Sequence, residues 1–253
     1  MEDAVRELAA TAVVLAAIAV IALAAAFFLT KPSGEMEVSI QSENITSASG
    51  PAFAAGEEYA YELQIAGNST EVTVKIEGMD SAWGAGCVRA VRNVSGMPAL
   101  AACYFEANGS AAYFEIEHGG VWARMPPETY AADPVMIFYE PWMLSLRDGW
   151  SGSLNKTSRL PPGVVEVRSY ASRQANYYRF LRRESYSGRP ALVAEAVSRE
   201  LEISGGVETV ISETRRTVWV DEEKRVVLGE TYEIGGVVAK KTLVRAPFRI
   251  SIP

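Results

Sequence analysis

The sequence predicts a mainly β protein, an antiparallel sheet domain preceded by one N-terminal transmembrane helix. Three observations carry this. From residue 57 onward, apolar and polar residues alternate with period two between Gly-, Asn- and Ser-rich breaks, as in strands with one buried face. Ala12–Leu29 is a run of 18 residues without a polar side chain, close to the ~20 needed to cross the hydrocarbon core of a bilayer. An apolar content of 49% with 22% charged residues is that of a folded chain and not of a disordered one.

Residues 1–30 read as the anchor, 31–35 as a linker and 36–253 as one extracytoplasmic β domain. The flank MEDAVRE is acidic and holds one Arg, whereas a cleaved signal peptide carries a basic flank and an apolar core of only ~7–15 residues. An uncleaved helix therefore fits better, with cleavage near ALAAAF as the alternative. No Cys follows the run, which excludes a bacterial lipid anchor at that point. Linker TKPSGE carries Pro, Ser and Gly and sets the anchor apart from the domain.

In the domain, EEYAYELQIAG places Tyr59, Tyr61, Leu63 and Ile65 on one face, and TEVTVKIEG does the same for Val72, Val74 and Ile76. With GNS between them, the two form a hairpin. SAAYFEIEHGGVWARM reads as a second hairpin. Its turn holds His118, the sole histidine, which reads as a solvated surface residue. Residues 125–150 lack alternation but concentrate Met136, Ile137, Phe138, Tyr139, Trp142, Met143, Leu144 and Leu146. Pro134 and Pro141 favour one or two short helices there. Aromatic and Met side chains suit either a packed core or an adaptable apolar binding surface. From GVVEVRSY onward the strands resume as a meander, with turns at SGRP, SGG, DEEK and Gly235–Gly236. Arg215, Glu230, Glu233 and Lys240 are read as its exposed alternates, so this sheet covers something on one side only.

Five of the six asparagines lie in N-x-S/T: Asn44, Asn68, Asn93, Asn108 and Asn155. Ser and Thr make up 33 of 253 residues, so fewer than one such triplet is expected by chance. The five read as N-glycan acceptors on the non-cytoplasmic side. None lies after residue 155. The meander is thus a glycan-free surface open to docking, unless its strands simply hold few asparagines. Cys87 and Cys103 are the only cysteines. In an oxidising compartment the pair reads as a disulfide, with two buried thiols as the alternative. Two Cys and one His fall short of a zinc shell. The net charge of −7 excludes nucleic acid as partner, and no cofactor motif is present.

YYRFLRRESYSGRPALVAEAV, followed by TVWVDEEKRVVLGETYEIGGVVAKKTLV, resembles the outer-membrane lipoprotein carrier superfamily, the LolA/LolB-like fold. The matching residues are Glu184, Gly188, Pro190, Ala191, Trp219, Val220 and Asp221, and the likeness covers about residues 175–245. The resemblance implies a curved, incompletely closed antiparallel sheet, a half-barrel whose concave side is plugged by short helices and often holds lipid or acyl chains. Residues 125–150 would be the plug, and Phe138, Tyr139, Trp142, Met143 and Trp219 the ligand-binding residues. The helical anchor and the sequons depart from the bacterial family and suit an archaeal cell surface.

Three functions follow. One is a membrane-tethered cell-surface glycoprotein that binds an apolar ligand, lipid or lipidated protein. A second is a structural or interaction module of the cell envelope, partnered by other envelope proteins. The third, an enzyme, is disfavoured: with His118 as the only imidazole, Ser–His–Asp and Cys–His mechanisms lack a base. An acid pair of the glycosidase kind cannot be picked out.

Overall fold

The computed structural model describes residues 37–45, 50–82, 84–125, 138–159, 171–204, 206–234 and 237–251. The expected transmembrane helix, the linker, Pro134, Met136 and Ile137 lie outside the described residues. Among those described, no helix is long and apolar enough to cross a membrane.

Among the described residues, thirteen antiparallel strands form one sheet. They are β1(Glu37–Glu43), β2(Glu58–Ile65), β3(Asn68–Ala82), β4(Ala85–Val94), β5(Leu100–Phe105), β6(Ala111–His118), β7(Val121–Met125), β8(Ser151–Arg159), β9(Ala171–Tyr186), β10(Arg189–Ser204), β11(Val207–Asp221), β12(Val227–Ile234) and β13(Val237–Arg245). One four-residue helix, α1(Trp142–Ser145), lies between β7 and β8. The spatial order is β1-β8-β9-β10-β11-β12-β13-β2-β3-β4-β5-β6-β7. Two consecutive meanders, β2–β7 and β8–β13, are thus sewn together along β13 and β2, and the terminal strands β1 and β7 leave the sheet unclosed.

The hairpins follow from local chemistry. Tyr61 sits opposite Val72 and Tyr59 opposite Val74, so the two alternating sets share the inner face. Tyr186 and Arg189 close a two-residue turn in which Ser187 and Gly188 have φ of 51° and 75°. That is the backbone of a type I′ turn, whose twist matches that of the strands.

A sheet of this width with one apolar face must curl. β9 and β5 lie eight intervals apart in the order, ~38 Å along a flat sheet at ~4.8 Å per interval. Yet Trp142 stacks on Tyr178 of β9 with ring centroids 4.8 Å apart. Tyr139, three residues earlier, meets Tyr104 of β5 at 5.0 Å. Three residues reach at most ~11 Å, so the sheet wraps around residues 138–150. A single main core results, with Tyr59, Tyr61, Val74, Leu192, Val218 and Leu243 lining its wall.

Among the described residues, 125–150 contribute one four-residue helix, as the one or two short helices expected there allow; Pro141 stands at its start and the chain is extended again at Leu146 (φ −65°, ψ 122°). One sequence expectation is corrected: Glu230 is not an exposed alternate but fully buried. Residues 230 and 233 are three apart and cannot share a face of a period-two strand; Glu230 shares the inner face with Tyr232, and Glu233 the outer.

Cys87 and Cys103 form a disulfide with Cα atoms 5.5 Å apart, joining neighbouring strands β4 and β5. It lies on the outer face, in a second small apolar cluster with Ala82, Ala112 and Tyr113. In the chain-entropy picture, closing a loop of this size stabilises by about 3 kcal/mol. The double variant Cys87→Ala/Cys103→Ala should therefore melt about 6–12 °C lower in a calorimetric scan. An unchanged melting temperature would show that the packed sheet already supplies the constraint.

Candidate functional site

The inner face has two parts, an apolar part filled by the chain and a polar part that stays open. Phe138, Tyr139, Trp142 and Met143 fill the first; Trp142 is 2% and Met143 0% exposed. Phe53 packs on Phe138 at 5.2 Å and on Tyr139 at 5.3 Å, and Trp150 stacks on Trp142 at 6.2 Å. Hydrogen bonds pin the segment to several elements. The Tyr139 hydroxyl donates to Gly109 O at 3.0 Å and Val227 N donates to Phe138 O at 2.8 Å. Arg225 Nη1 donates to Leu146 O at 2.8 Å, and Trp150 Nε1 to Asn44 O at 3.0 Å. Gly109 has φ 70°, and a Cβ there would run into the Tyr139 hydroxyl and Leu144. The turn between β5 and β6 therefore needs glycine to admit the segment.

A buried chain of charges ties the segment to the wall. Glu140 accepts from Arg216 Nη2 of β11 at 3.3 Å, and Arg216 Nη1 donates to Glu230 of β12 at 3.0 Å. Glu230 in turn meets Lys241 Nζ of β13 at 2.6 Å. Trp142 Nε1 donates to Glu140, and Lys241 lies 5.7 Å from the centre of the Tyr61 ring. Two acids and two bases cancel, which is the condition for holding four charges in an interior. Burial pushes the Glu230 pKa up, but Lys241 and Arg216 outweigh it and hold it below the ordinary 4.5. Burial likewise pulls the Arg216 pKa down, and Glu140 and Glu230 more than reverse it.

The structure brings four of the five predicted ligand-binding residues together and separates the fifth. Phe138, Tyr139, Trp142 and Met143 form one cluster, whereas Trp219 lies on the outer face. The cause is strand parity: Val218 and Val220 point inward, so Trp219 cannot. Its ring packs on Tyr186 at 5.0 Å, its Nε1 donates to Glu184, and Tyr186 lies over Gly229. Asp221, fully buried, accepts from Arg189 at 2.8 Å and from Lys224 N at 2.7 Å. Apart from Ala191 and Val220, which pack in the main core, the residues that carry the family resemblance thus knit the β9–β11 turns. Of the five sequon asparagines, Asn44, Asn68, Asn93 and Asn108 are exposed and Asn155 is half-buried. All five sit at strand ends, turns or outer-face positions.

The polar part had no counterpart in the sequence reading. On β8–β11, beyond the segment, lies a cleft of about 340 Å³. Five hydroxyl side chains and Gln174 line it together with the charged Lys156, Arg173 and Glu200, and Arg216 stands where it meets the apolar part. Its signal was available: the hydroxyl residues and Gln174 continue, at inward parity, the same strands whose other ends carry Tyr178, Ala194 and Val218.

No family model matches the chain, and no curated protein matches it. Among solved structures it is similar to a protein with a YmcC-like fold from Bacteroides fragilis, at 8% identity and a TM-score of 0.37 over 80% of this chain and 100% of that one. It is also similar to the hypothetical lipoprotein YmcC from Escherichia coli, at 13% identity and 0.34 over 76% and 85%. LprF from Mycobacterium bovis aligns at 12% identity and 0.28 over 78% and 88%.

Because the folded Glu230 pKa lies below its unfolded value, its contribution to stability is fully present above pH 4.5. That contribution is lost as the pH falls below 4.5 through the folded value. Unfolding free energy measured by denaturant titration should drop over that acid range, and Glu230→Gln should flatten the drop. Glu230→Gln should also cost about 3–5 kcal/mol at neutral pH by leaving buried cations short of a partner. A variant as stable as the parent would show that the charge chain is dispensable.

Proposed function

We propose that this chain is a non-catalytic interaction module of the cell envelope. Its N-terminal apolar run tethers it to the membrane, it carries N-glycans on its outer surface, and its groove is filled by its own residues 138–150. The observation that carries this reading is the burial of Phe138, Tyr139, Trp142 and Met143 between β5 on one side and β9 on the other. A carrier of acyl chains needs that apolar volume for its cargo. Emptying it would break the buried Glu140–Arg216 pair and expose four large side chains, each worth ~1.5–3 kcal/mol when buried. The five sequons and the Cys87–Cys103 disulfide support the extracytoplasmic side. The Arg–Glu pairs of the outer face, such as Arg179–Glu195 at 2.8 Å and Arg199–Glu213 at 2.7 Å, give a wet, charged surface for partners.

Native mass spectrometry of the full chain, extracted in detergent from its own host, tests both parts. The mass should fall in steps on enzymatic deglycosylation, and no lipid should be retained. An unmodified mass would remove the glycoprotein reading, and a stoichiometric lipid would restore the carrier. Trp142→Ala should lower stability by about 3–5 kcal/mol, as for a core residue.

A further inference from the structure

We propose that the open polar cleft on β8–β11 is a binding site for a neutral, polyhydroxylated ligand of the saccharide class. The proposal goes beyond the interaction reading, and its key residues are not those that hold the filled apolar part. The cleft's 340 Å³ falls at the lower end of the ~300–1,000 Å³ typical of small-ligand sites, so it suits one or two sugar rings and not an extended acyl chain.

Strand register sets out its side chains as a grid. Ser158 faces Ser172 across β8 and β9. Ser198 faces Asn176 on one side and Thr214 on the other, and Glu200 faces Gln174 and Ser212. Neighbours across strands stand ~5 Å apart. Hydroxyl and amide groups both donate and accept, as do the hydroxyls of a sugar. These groups spend little of that capacity on one another: Gln174–Ser198 and Ser212–Glu200 are both as long as 3.5 Å.

Charge rules out the anionic alternative. Arg216 is held by Glu140 and Glu230, Arg173 by Glu208 at 2.9 Å, and Glu200 adds a negative charge to a lining that also holds Lys156. No excess of positive charge is left to select a phosphate or sulfate.

The test uses the folded full chain and a panel of neutral oligosaccharides built from glucose, galactose, mannose and N-acetylglucosamine. Heparin and a fatty acid form the anionic and apolar arms. Binding is followed by calorimetry and by saturation-transfer NMR. At least one neutral member should bind saturably, and Ser198→Val/Thr214→Val should weaken it at least tenfold. Ser212→Ala, at an exposed position that folding does not need, should weaken it several-fold and guards against misfolding of the double variant. The proposal is overturned if no neutral member binds at about 10 mM, where even millimolar affinities register. It is equally overturned if Ser212→Ala binds as the parent does, or if only heparin or the fatty acid binds.

Discussion

A sheet with one apolar face and thirteen strands cannot stay flat in water, and the rest of the molecule depends on that constraint. The exposed inner face would have to be covered by a partner, by a second sheet or by the chain itself. Here residues 138–150 do the covering, and the sheet closes around them until β5 and β9 touch the same short segment. The turn glycine at 109, the bonds from the Val227 backbone and the Arg225 side chain, and the Trp142–Tyr178 stack all follow from fitting one segment against two distant walls. The segment is less a helix inserted in a groove than the axis about which the sheet is wound.

The four buried charges belong to the same problem. Burying Arg216 among aromatic rings would be costly without Glu140 and Glu230, and Glu230 would be costly without Lys241. Taken as pairs, such groups add little net stability compared with a well-packed apolar core. What they add is register. Glu140 has one place on the wall where its charge is balanced, and a one-residue slip of β11, β12 or β13 would turn a charge outward and leave its partner alone.

Much of this was legible in the alternation of apolar residues. Tyr59, Tyr61 and Leu63 declared the inner face of β2, and the loss of alternation after Met125 marked the filling segment. Parity was the point where reading failed. Grouping Glu230 with Glu233, and Trp219 with the aromatic segment, ignored that strand neighbours one or three apart face opposite ways. Read strictly, Arg216, Glu230 and Lys241 all share parity with Val218, Tyr232 and Leu243, so opposite charges at core positions of consecutive strands were already visible. The pairing of β13 with β2 was not visible at all. It joins segments distant in sequence, and no local pattern records which two sheet edges will meet.

That pairing has a consequence for how the domain is made. The Tyr61 hydroxyl bonds to Val227 O at 3.0 Å across 166 positions of chain, and β2 finds its second neighbour only in β13, close to the C-terminus. Contacts of such separation carry a large loop-closure cost and slow folding. During synthesis, β2–β7 emerge as a half-sheet whose inner face and free β2 edge remain bare until β13 arrives. The molecule thus assembles late and all at once, and until then that bare edge is the place where wrong partners would attach.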